Sequence, residues 1–191
     1  MFILASASPR RQELLQQIGC KFRVQPAQAE ELSDPSMEPV SLVRENASRK
    51  ALAVAARCDA DAFVLGVDTV VSIDGFIFGK PADAADAEKM LHVLSGRMHT
   101  VSTGMALVHG KEIWRAEAAT KVFFAPLSDA MIARYVATGE PLDKAGAYAI
   151  QGRAATFVTR IDGSYSNVVG LPLHLLSVLA GKAGMQLWQQ W

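Results

Sequence analysis

The apolar positions of this chain recur at two spacings, one typical of strands and one typical of helices. Short apolar or alternating runs predict strands over residues 2–4, 21–24, 63–71, 76–78, 100–108, 112–124, 149–153 and 157–161. Helical spacing predicts helices over residues 9–18, 40–57, 83–94, 128–138 and 171–183. Between them, residues 140–148 are rich in charge and glycine and predict a site loop, and residues 162–167 predict a turn. The order of elements predicts a mixed α/β fold, with a largely central β-sheet flanked by helices.

The junction between the first strand and the first helix has an unusual charge pattern. Ser8 suits the N-cap and Pro9 the first helical position, and Arg10 and Arg11 then occupy the first turn. Arginine is disfavoured at a helix N-terminus by the helix dipole, so two of them there favour a bound anion, and the planar guanidinium suits a phosphate. A solvated helix start with no ligand is the alternative.

Asp68 interrupts the apolar strand predicted over residues 63–71. Burying an isolated carboxylate costs several kcal/mol even after relaxation, so such a residue is paired, protonated or bound to a cation. Asp68 is therefore the strongest single functional candidate in the sequence. A residue at the strand end that caps a loop is the alternative.

The other candidate charges have plainer alternatives. Lys50 lies on the flank of the apolar stripe of its helix and Lys80 in a loop, and both could simply meet solvent. Glu31 lies in an acidic, proline-bounded loop that could be no more than a solvated connection. The four histidines have no metal-ligand spacing and are assigned no role.

Composition limits the classes of function. The 191 residues, half of them apolar, fit a single domain over 1–191, whose two lobes would share the sheet. Lysine plus arginine equal aspartate plus glutamate at 19 each, which argues against a nucleic-acid or membrane partner. Two distant cysteines and the lack of a signal or spanning segment predict a cytoplasmic protein.

Six blocks of the sequence together resemble the signature of the Maf nucleotide pyrophosphatases. In chain order they are Ser-Ala-Ser-Pro-Arg-Arg at 6–11, Gly-Val-Asp-Thr-Val-Val at 66–71, Lys-Pro at 80–81, Leu-Ser-Gly-Arg at 94–97, Asp-Lys-Ala-Gly-Ala-Tyr-Ala-Ile-Gln-Gly at 143–152 and Gly-Ser-Tyr-Ser-Asn-Val-Val-Gly-Leu-Pro at 163–172. The resemblance covers nearly the whole chain. It implies a fold related to the inosine triphosphate pyrophosphatases, with a cleft between two lobes, and a homodimer.

The resemblance also implies a reaction, the hydrolysis of a nucleoside triphosphate to the monophosphate and pyrophosphate with Mg²⁺ or Mn²⁺. Such a nucleoside triphosphate diphosphatase would help to clear nucleotide pools. Arg10, Thr69 and Gln151 match the pattern of the branch that hydrolyses dTTP and UTP. A glutamine amide can offer a donor and an acceptor to a pyrimidine edge, which agrees with that branch.

Within this reaction the charged residues receive roles as hypotheses. Ser6, Ser8 and Arg11 would bind substrate, and Lys50 and Lys80 would hold phosphates during catalysis. Asp68 would accept the proton of the attacking water, alone or through a metal that Asp68 and Glu31 bind. Two other functions stay open: a nucleotide-binding regulator of septum formation and cell division, and a phosphatase that removes the terminal phosphate.

Overall fold

The computed structural model describes residues 1–34 and 36–190, so residues 35 and 191 of the predicted single domain lie outside the described residues. The strands are β1 (Phe2–Leu4), β2 (Arg23–Val24), β3 (Phe63–Ile73), β4 (Phe76–Phe78), β5 (Met98–His109), β6 (Glu112–Phe124) and β7 (Val158–Asp162). The α-helices are α1 (Pro9–Gln17), α2 (Pro39–Ala55), α3 (Ala84–Leu94), α4 (Asp129–Val136), α5 (Tyr165–Val169) and α6 (Leu173–Lys182). Helices flank one seven-stranded sheet, as the apolar pattern predicts.

The sheet has the strand order β2-β1-β3-β5-β6-β7, and β4 pairs with β3. Strand β1 pairs in parallel with β2 and with β3, and β3 pairs antiparallel with β4 across the Asp74-Gly75 turn that the sequence predicts. Strand β7 pairs antiparallel with β6. In the parallel pair, Leu4 at the end of β1 lies opposite Leu65, so the loop to α1 begins beside β3 just before Asp68.

Two predicted elements are wrong in the C-terminal third of the chain. No strand forms over residues 149–153: residues 150–152 form a turn, and a 3₁₀ helix follows over Arg153–Phe157. The backbone N–H of Ala149 donates to the Tyr135 hydroxyl at 3.1 Å, and that of Arg153 to Glu140 Oε1 at 3.0 Å, so neither is left for a strand ladder. The predicted turn at residues 162–167 includes the start of α5.

The chain divides into two compact units. The first unit comprises Met1–Asp68, Thr103–Ala118 and the segment from Gly170 onward; the second comprises Thr69–Ser102 and Ala119–Val169. In the second unit, Ile132, Tyr135 and Val136 face the interior as predicted. Met131, also predicted to face inward, is 43% exposed, because it lies outside the arc that those three positions define on α4.

Within the first unit, helix α2 lies unusually close to the sheet. Its small residues join one buried cluster with strand residues: Ile3, Ala5, Ala47, Ala51, Val54, Ala62, Val64, Ala106 and Val108. A Cβ built on Gly66 of β3 would lie 2.1 Å from the carbonyl oxygen of Ala47, and one on Gly104 of β5 would lie 2.5 Å from the backbone of Val43. Glycine at these two places therefore lets the helix backbone approach the strands, which brings the polar residues of α2 within reach of β3.

Candidate functional site

Asp68 lies in the middle of β3 with only 6% of its surface exposed. Both of its carboxylate oxygens have partners on α2. Lys50 Nζ donates to Asp68 Oδ1 at 2.7 Å, and Asn46 Nδ2 donates to Oδ2 at 3.2 Å. Because the strand continues to Ile73, Asp68 is not a residue that caps a strand end. The buried carboxylate is held by one cation and one amide, as a charge in this position requires.

Lys50 connects Asp68 with the second carboxylate of the predicted site. Its ammonium nitrogen lies 2.7 Å from Glu31 Oε1 and 2.7 Å from Asp68 Oδ1. The Lys50 side chain is 12% exposed and that of Glu31 is 59% exposed. The solvated alternative for Lys50 is therefore wrong, and the loop that carries Glu31 is joined to the site by an ion pair. The three charges form a cluster that is dry at Asp68 and open to water at Glu31.

Asn46 is a site residue that the sequence reasoning missed. Its side chain is buried, accepts the backbone N–H of Leu32 at 2.8 Å and donates to the Leu32 carbonyl oxygen at 3.1 Å. The same amide nitrogen donates to Asp68, so Asn46 joins the segment next to Glu31 to the central strand. A signal was present in the sequence: Asn46 is four residues before Lys50, on the same side of the helix and among apolar positions.

Arg11 has polar partners on three segments of the first unit. Its Nε donates to the carbonyl oxygen of Gly170 at 2.9 Å, and its Nη1 donates to Ser6 Oγ at 2.9 Å and to the carbonyl oxygen of Val67 at 3.1 Å. Burial lowers the pKa of Arg11 to about 10, and the attraction of Asp68 opposes that shift. The guanidinium therefore stays charged at neutral pH and stands next to the residue that precedes Asp68.

The turn before α1 is organised around Ser6. Its hydroxyl accepts the Ser8 backbone N–H at 3.3 Å as well as Arg11, and the Ser6 side chain is buried. Ser8 occupies the N-cap position, but its side chain makes no capping hydrogen bond, and the first turn of α1 holds no acidic residue. Arg10 is half-buried in that turn. The partly exposed Ser8 and the two arginines thus lie at the positive end of the α1 dipole.

Thr69, Lys80 and Gln151 belong to the second unit. Thr69 follows Asp68 directly on β3, so its side chain points to the opposite face of the strand. Lys80 is exposed just after Gly79, whose carbonyl oxygen accepts the backbone N–H of Gly146 at 3.0 Å. Gln151 is exposed in the turn that replaces the predicted strand at 149–153. Lys80 thus adjoins the loop at 140–148 that the sequence singles out.

Glu140 organises that loop and was also missed. Its Oε1 accepts the Tyr135 hydroxyl at 3.0 Å and the backbone N–H of Arg153 at 3.0 Å, and its Oε2 pairs with Arg153 Nη1 at 3.2 Å. Burial raises the pKa of Tyr135, and the Glu140 carboxylate acts in the same direction, so the hydroxyl keeps its proton and donates it. The many charged residues at 140–148 indicated a site loop. The spacing of residues in the sequence could not show that the Glu140 carboxylate holds this loop together.

Glu31 and Asp68 fit a divalent cation that takes its remaining ligands from water and from phosphate oxygens. Glu31 and Asp68 direct carboxylate oxygens at one cationic group, and oxygen ligands are what Mg²⁺ prefers. In the described part of the chain, no group of three or more His, Cys, Asp or Glu could hold a metal ion. A protein that offers one or two carboxylates leaves the remaining positions to water and to phosphate oxygens.

Two further findings concern parts of the molecule outside the predicted site. A cavity of about 580 Å³ in the first unit is lined by none of the predicted site residues; its lining is Met1, Phe2, Lys21, Phe22, Arg23, Phe63 and Met185. None of the described helices has both the length and the apolar character needed to cross a membrane.

Comparison with solved structures supports the fold. The chain is similar to the Ham1 protein of Staphylococcus aureus, with a TM-score of 0.55 over 96% of this chain and 98% of that one. The two sequences are only 15% identical, so this similarity concerns the arrangement of strands and helices alone.

Comparison of sequences identifies the family. A protein of Symbiobacterium thermophilum named dTTP/UTP pyrophosphatase is 56% identical over 90% of this chain and 88% of its own length. A protein of Gloeobacter violaceus with the same name is 56% identical over 91% of each chain. The family model described as Maf-like protein matches residues 1–183. This chain therefore belongs to the Maf-like protein family.

Proposed function

We propose that this protein is a nucleoside triphosphate diphosphatase that hydrolyses dTTP and UTP to the monophosphate and pyrophosphate. The observation that carries the proposal is the cluster of Asp68, Lys50 and Glu31, in which a buried carboxylate and a partly exposed one meet a single ammonium group. The names of the relatives at 56% identity supply the substrate class. Of the three, Asp68 lies in one of the six sequence blocks that resemble the family signature, the Gly-Val-Asp-Thr-Val-Val block at 66–71.

Asp68 is proposed as the proton acceptor for the attacking water. Lys50 and Asn46 hold the carboxylate in one orientation from the same helix, so it is preorganised before substrate arrives. A positioned general base contributes typically about 10²- to 10⁴-fold to a rate.

Cationic groups of the chain would stabilise the triphosphate. In this proposal Ser6, Ser8, Arg11, Lys50 and Lys80 bind it, with the N-terminus of α1 adding its dipole. A unit charge about 4 Å from a phosphate contributes roughly 4 kcal/mol at an effective dielectric near 20. Arg11 has a second role, since its bonds to Ser6 and Val67 fix the turn before α1 against β3.

Glu31 and Asp68 would hold Mg²⁺ or Mn²⁺ together with phosphate oxygens. When bound, the ion would supply charge neutralisation at the phosphates and lower the pKa of a coordinated water. Lys50, which contacts both carboxylates, would hold them next to each other and place its charge near the phosphates. Arg10, Thr69 and Gln151 would select the base, with the exposed Gln151 amide forming hydrogen bonds to a pyrimidine edge.

The family resemblance further supports a cytoplasmic homodimer formed by a single domain.

Product analysis tests the proposal. The protein is incubated with UTP, dTTP and GTP in the presence of Mg²⁺, and pyrophosphate and orthophosphate are measured separately, with EDTA as the metal-free control. We expect pyrophosphate and the monophosphate, formed faster from UTP and dTTP than from GTP. Orthophosphate with a nucleoside diphosphate would show a terminal phosphatase instead. Nucleotide binding without either product would show a regulator.

A further inference from the structure

We infer that Glu140 is a positioning residue for base selection, because it fixes the turn that presents Gln151. This inference rests on the proposed function, in which Gln151 reads the pyrimidine. Nothing in the sequence blocks points to Glu140 as more than a loop charge. The structure, however, shows that its carboxylate accepts hydrogen bonds from three polar groups of the second unit.

The contacts of Glu140 surround Gln151 on both sides along the chain. Before it, the Ala149 N–H donates to the Tyr135 hydroxyl, which in turn donates to Glu140. After it, the Arg153 N–H donates directly to Glu140 at 3.0 Å. Gln151 itself stays exposed between these anchors. The backbone of the turn is thus held from one carboxylate, while the side chain that would meet the base is left available.

Because Glu140 is largely buried, its hydrogen bonds can constrain the backbone of the turn. Its side chain is 15% exposed, whereas that of Arg153 is 69% exposed. The ion pair with the Arg153 side chain is therefore a weak surface contact, and the bonds to the Tyr135 hydroxyl and to the backbone carry most of the constraint. Removal of the carboxylate would leave the Tyr135 hydroxyl and the Arg153 N–H without this acceptor. The free-energy cost of a buried donor without a partner exceeds the net contribution of the hydrogen bond.

Gly152 shows how closely the carboxylate and the turn approach each other. A Cβ built on Gly152 would lie 2.4 Å from Glu140 Oε1 and 2.7 Å from Glu140 Cδ. The φ angle of Gly152 is −104°, which alanine adopts readily, so the glycine serves the close approach and not a special backbone conformation. Gly152→Ala should therefore displace the Glu140 carboxylate without straining the backbone.

The test measures selectivity. Steady-state kcat and KM for UTP and GTP are compared in the wild type, Glu140→Ala, Glu140→Gln and the control Arg153→Ala. We expect Glu140→Ala to raise KM for UTP about tenfold with kcat nearly unchanged, and to reduce the preference for UTP over GTP by a similar factor. Glu140→Gln keeps an acceptor oxygen and should retain the preference, which separates hydrogen bonding from loss of charge. Arg153→Ala, which loses only the exposed side chain, should also retain it.

Two further measurements test whether Glu140 acts through the turn that carries Gln151. Hydrogen exchange at residues 149–153 should be faster in Glu140→Ala, and the effects of Glu140→Ala and Gln151→Ala on selectivity should not add. If Glu140→Ala does not fold, Gly152→Ala should show the same loss of selectivity. A folded Glu140→Ala or Gly152→Ala protein with the selectivity of the wild type would overturn the inference alone. A wild type that releases no pyrophosphate from UTP or dTTP would overturn the proposed function, and the inference with it.

Discussion

The Asp68 cluster and the Glu140 loop are both built around a carboxylate with little exposure, yet they are built in different ways. Asp68 lies on a long strand and meets Lys50 from a 17-residue helix packed against it. Glu140 begins a 3₁₀ turn and binds the hydroxyl of Tyr135 and the backbone N–H of Arg153. The first carboxylate is positioned by packing of regular elements, and the second positions irregular backbone. We therefore expect mutations at the first to affect chemistry, and mutations at the second to affect selectivity.

The largest effect is expected from Lys50→Met. It leaves Asp68 buried without its cation, and breaking a buried pair in this way costs about 3–5 kcal/mol. We expect the free energy of unfolding to fall by about that amount and turnover of UTP to fall at least about 100-fold, because a phosphate-binding cation is lost as well. Chemical denaturation and a pyrophosphate assay measure the two effects.

Arg49→Met is the matched control for Lys50→Met on the same helix. Arg49 makes an exposed ion pair with Glu45, of a kind that contributes only about 0.3–0.5 kcal/mol. Equal losses of stability in the two variants would mean that the Lys50–Asp68 pair is no more important than a surface contact.

The next effect concerns the packing that brings α2 to β3. Gly66→Ala would place a methyl group 2.1 Å from the Ala47 carbonyl oxygen, so the helix must move away from the strand. Overpacking of this kind costs about 1–3 kcal/mol or more, and we expect turnover to fall as Lys50 and Asn46 are displaced from Asp68. Gly79→Ala, with nothing within 4 Å of the new methyl group, should leave the melting temperature unchanged. A Gly66→Ala protein with unaltered stability and turnover would contradict this account of the packing.

The smallest effect at neutral pH is expected from the titration of His99, in the second unit. Burial lowers the pKa of His99 to about 4, and its Nε2 lies 2.9 Å from the Tyr148 hydroxyl. Since the folded-state pKa lies below the ordinary value of 6.5, the unfolded chain takes up a proton that the folded chain does not. The contribution of neutral His99 is therefore fully present above about pH 6.5 and is lost as the pH falls through about 4.

Melting temperatures measured between pH 7 and pH 4 check this. The melting temperature of the wild type should fall more steeply than that of His99→Gln, whereas the control His174→Gln, at an exposed position, should follow the wild type. Parallel curves for the wild type and His99→Gln would contradict the assignment.

Regular elements could be predicted from the sequence because each shows its period. The apolar run around Asp68 and the stripe on α2 identified the strand and the helix, and the cost of an apolar setting for a carboxylate singled out Asp68. The turn at 149–153 could not be predicted, because its conformation is fixed by Tyr135 and Glu140, two residues that no periodicity connects with it. The role of Asn46 was missed for a related reason. Its position among apolar residues was visible, but its partners Leu32 and Asp68 come from distant parts of the chain.

The most direct test of the central claim compares nucleotide binding with turnover in Asp68→Asn. Asparagine keeps the size of the side chain and removes the proton acceptor, so the account predicts that turnover of UTP falls by about 10²- to 10⁴-fold. It also predicts that the protein remains folded, and that its Kd for UTP, measured calorimetrically in Mg²⁺, changes by less than about one order of magnitude. A folded Asp68→Asn protein that releases pyrophosphate at the rate of the wild type would contradict the account.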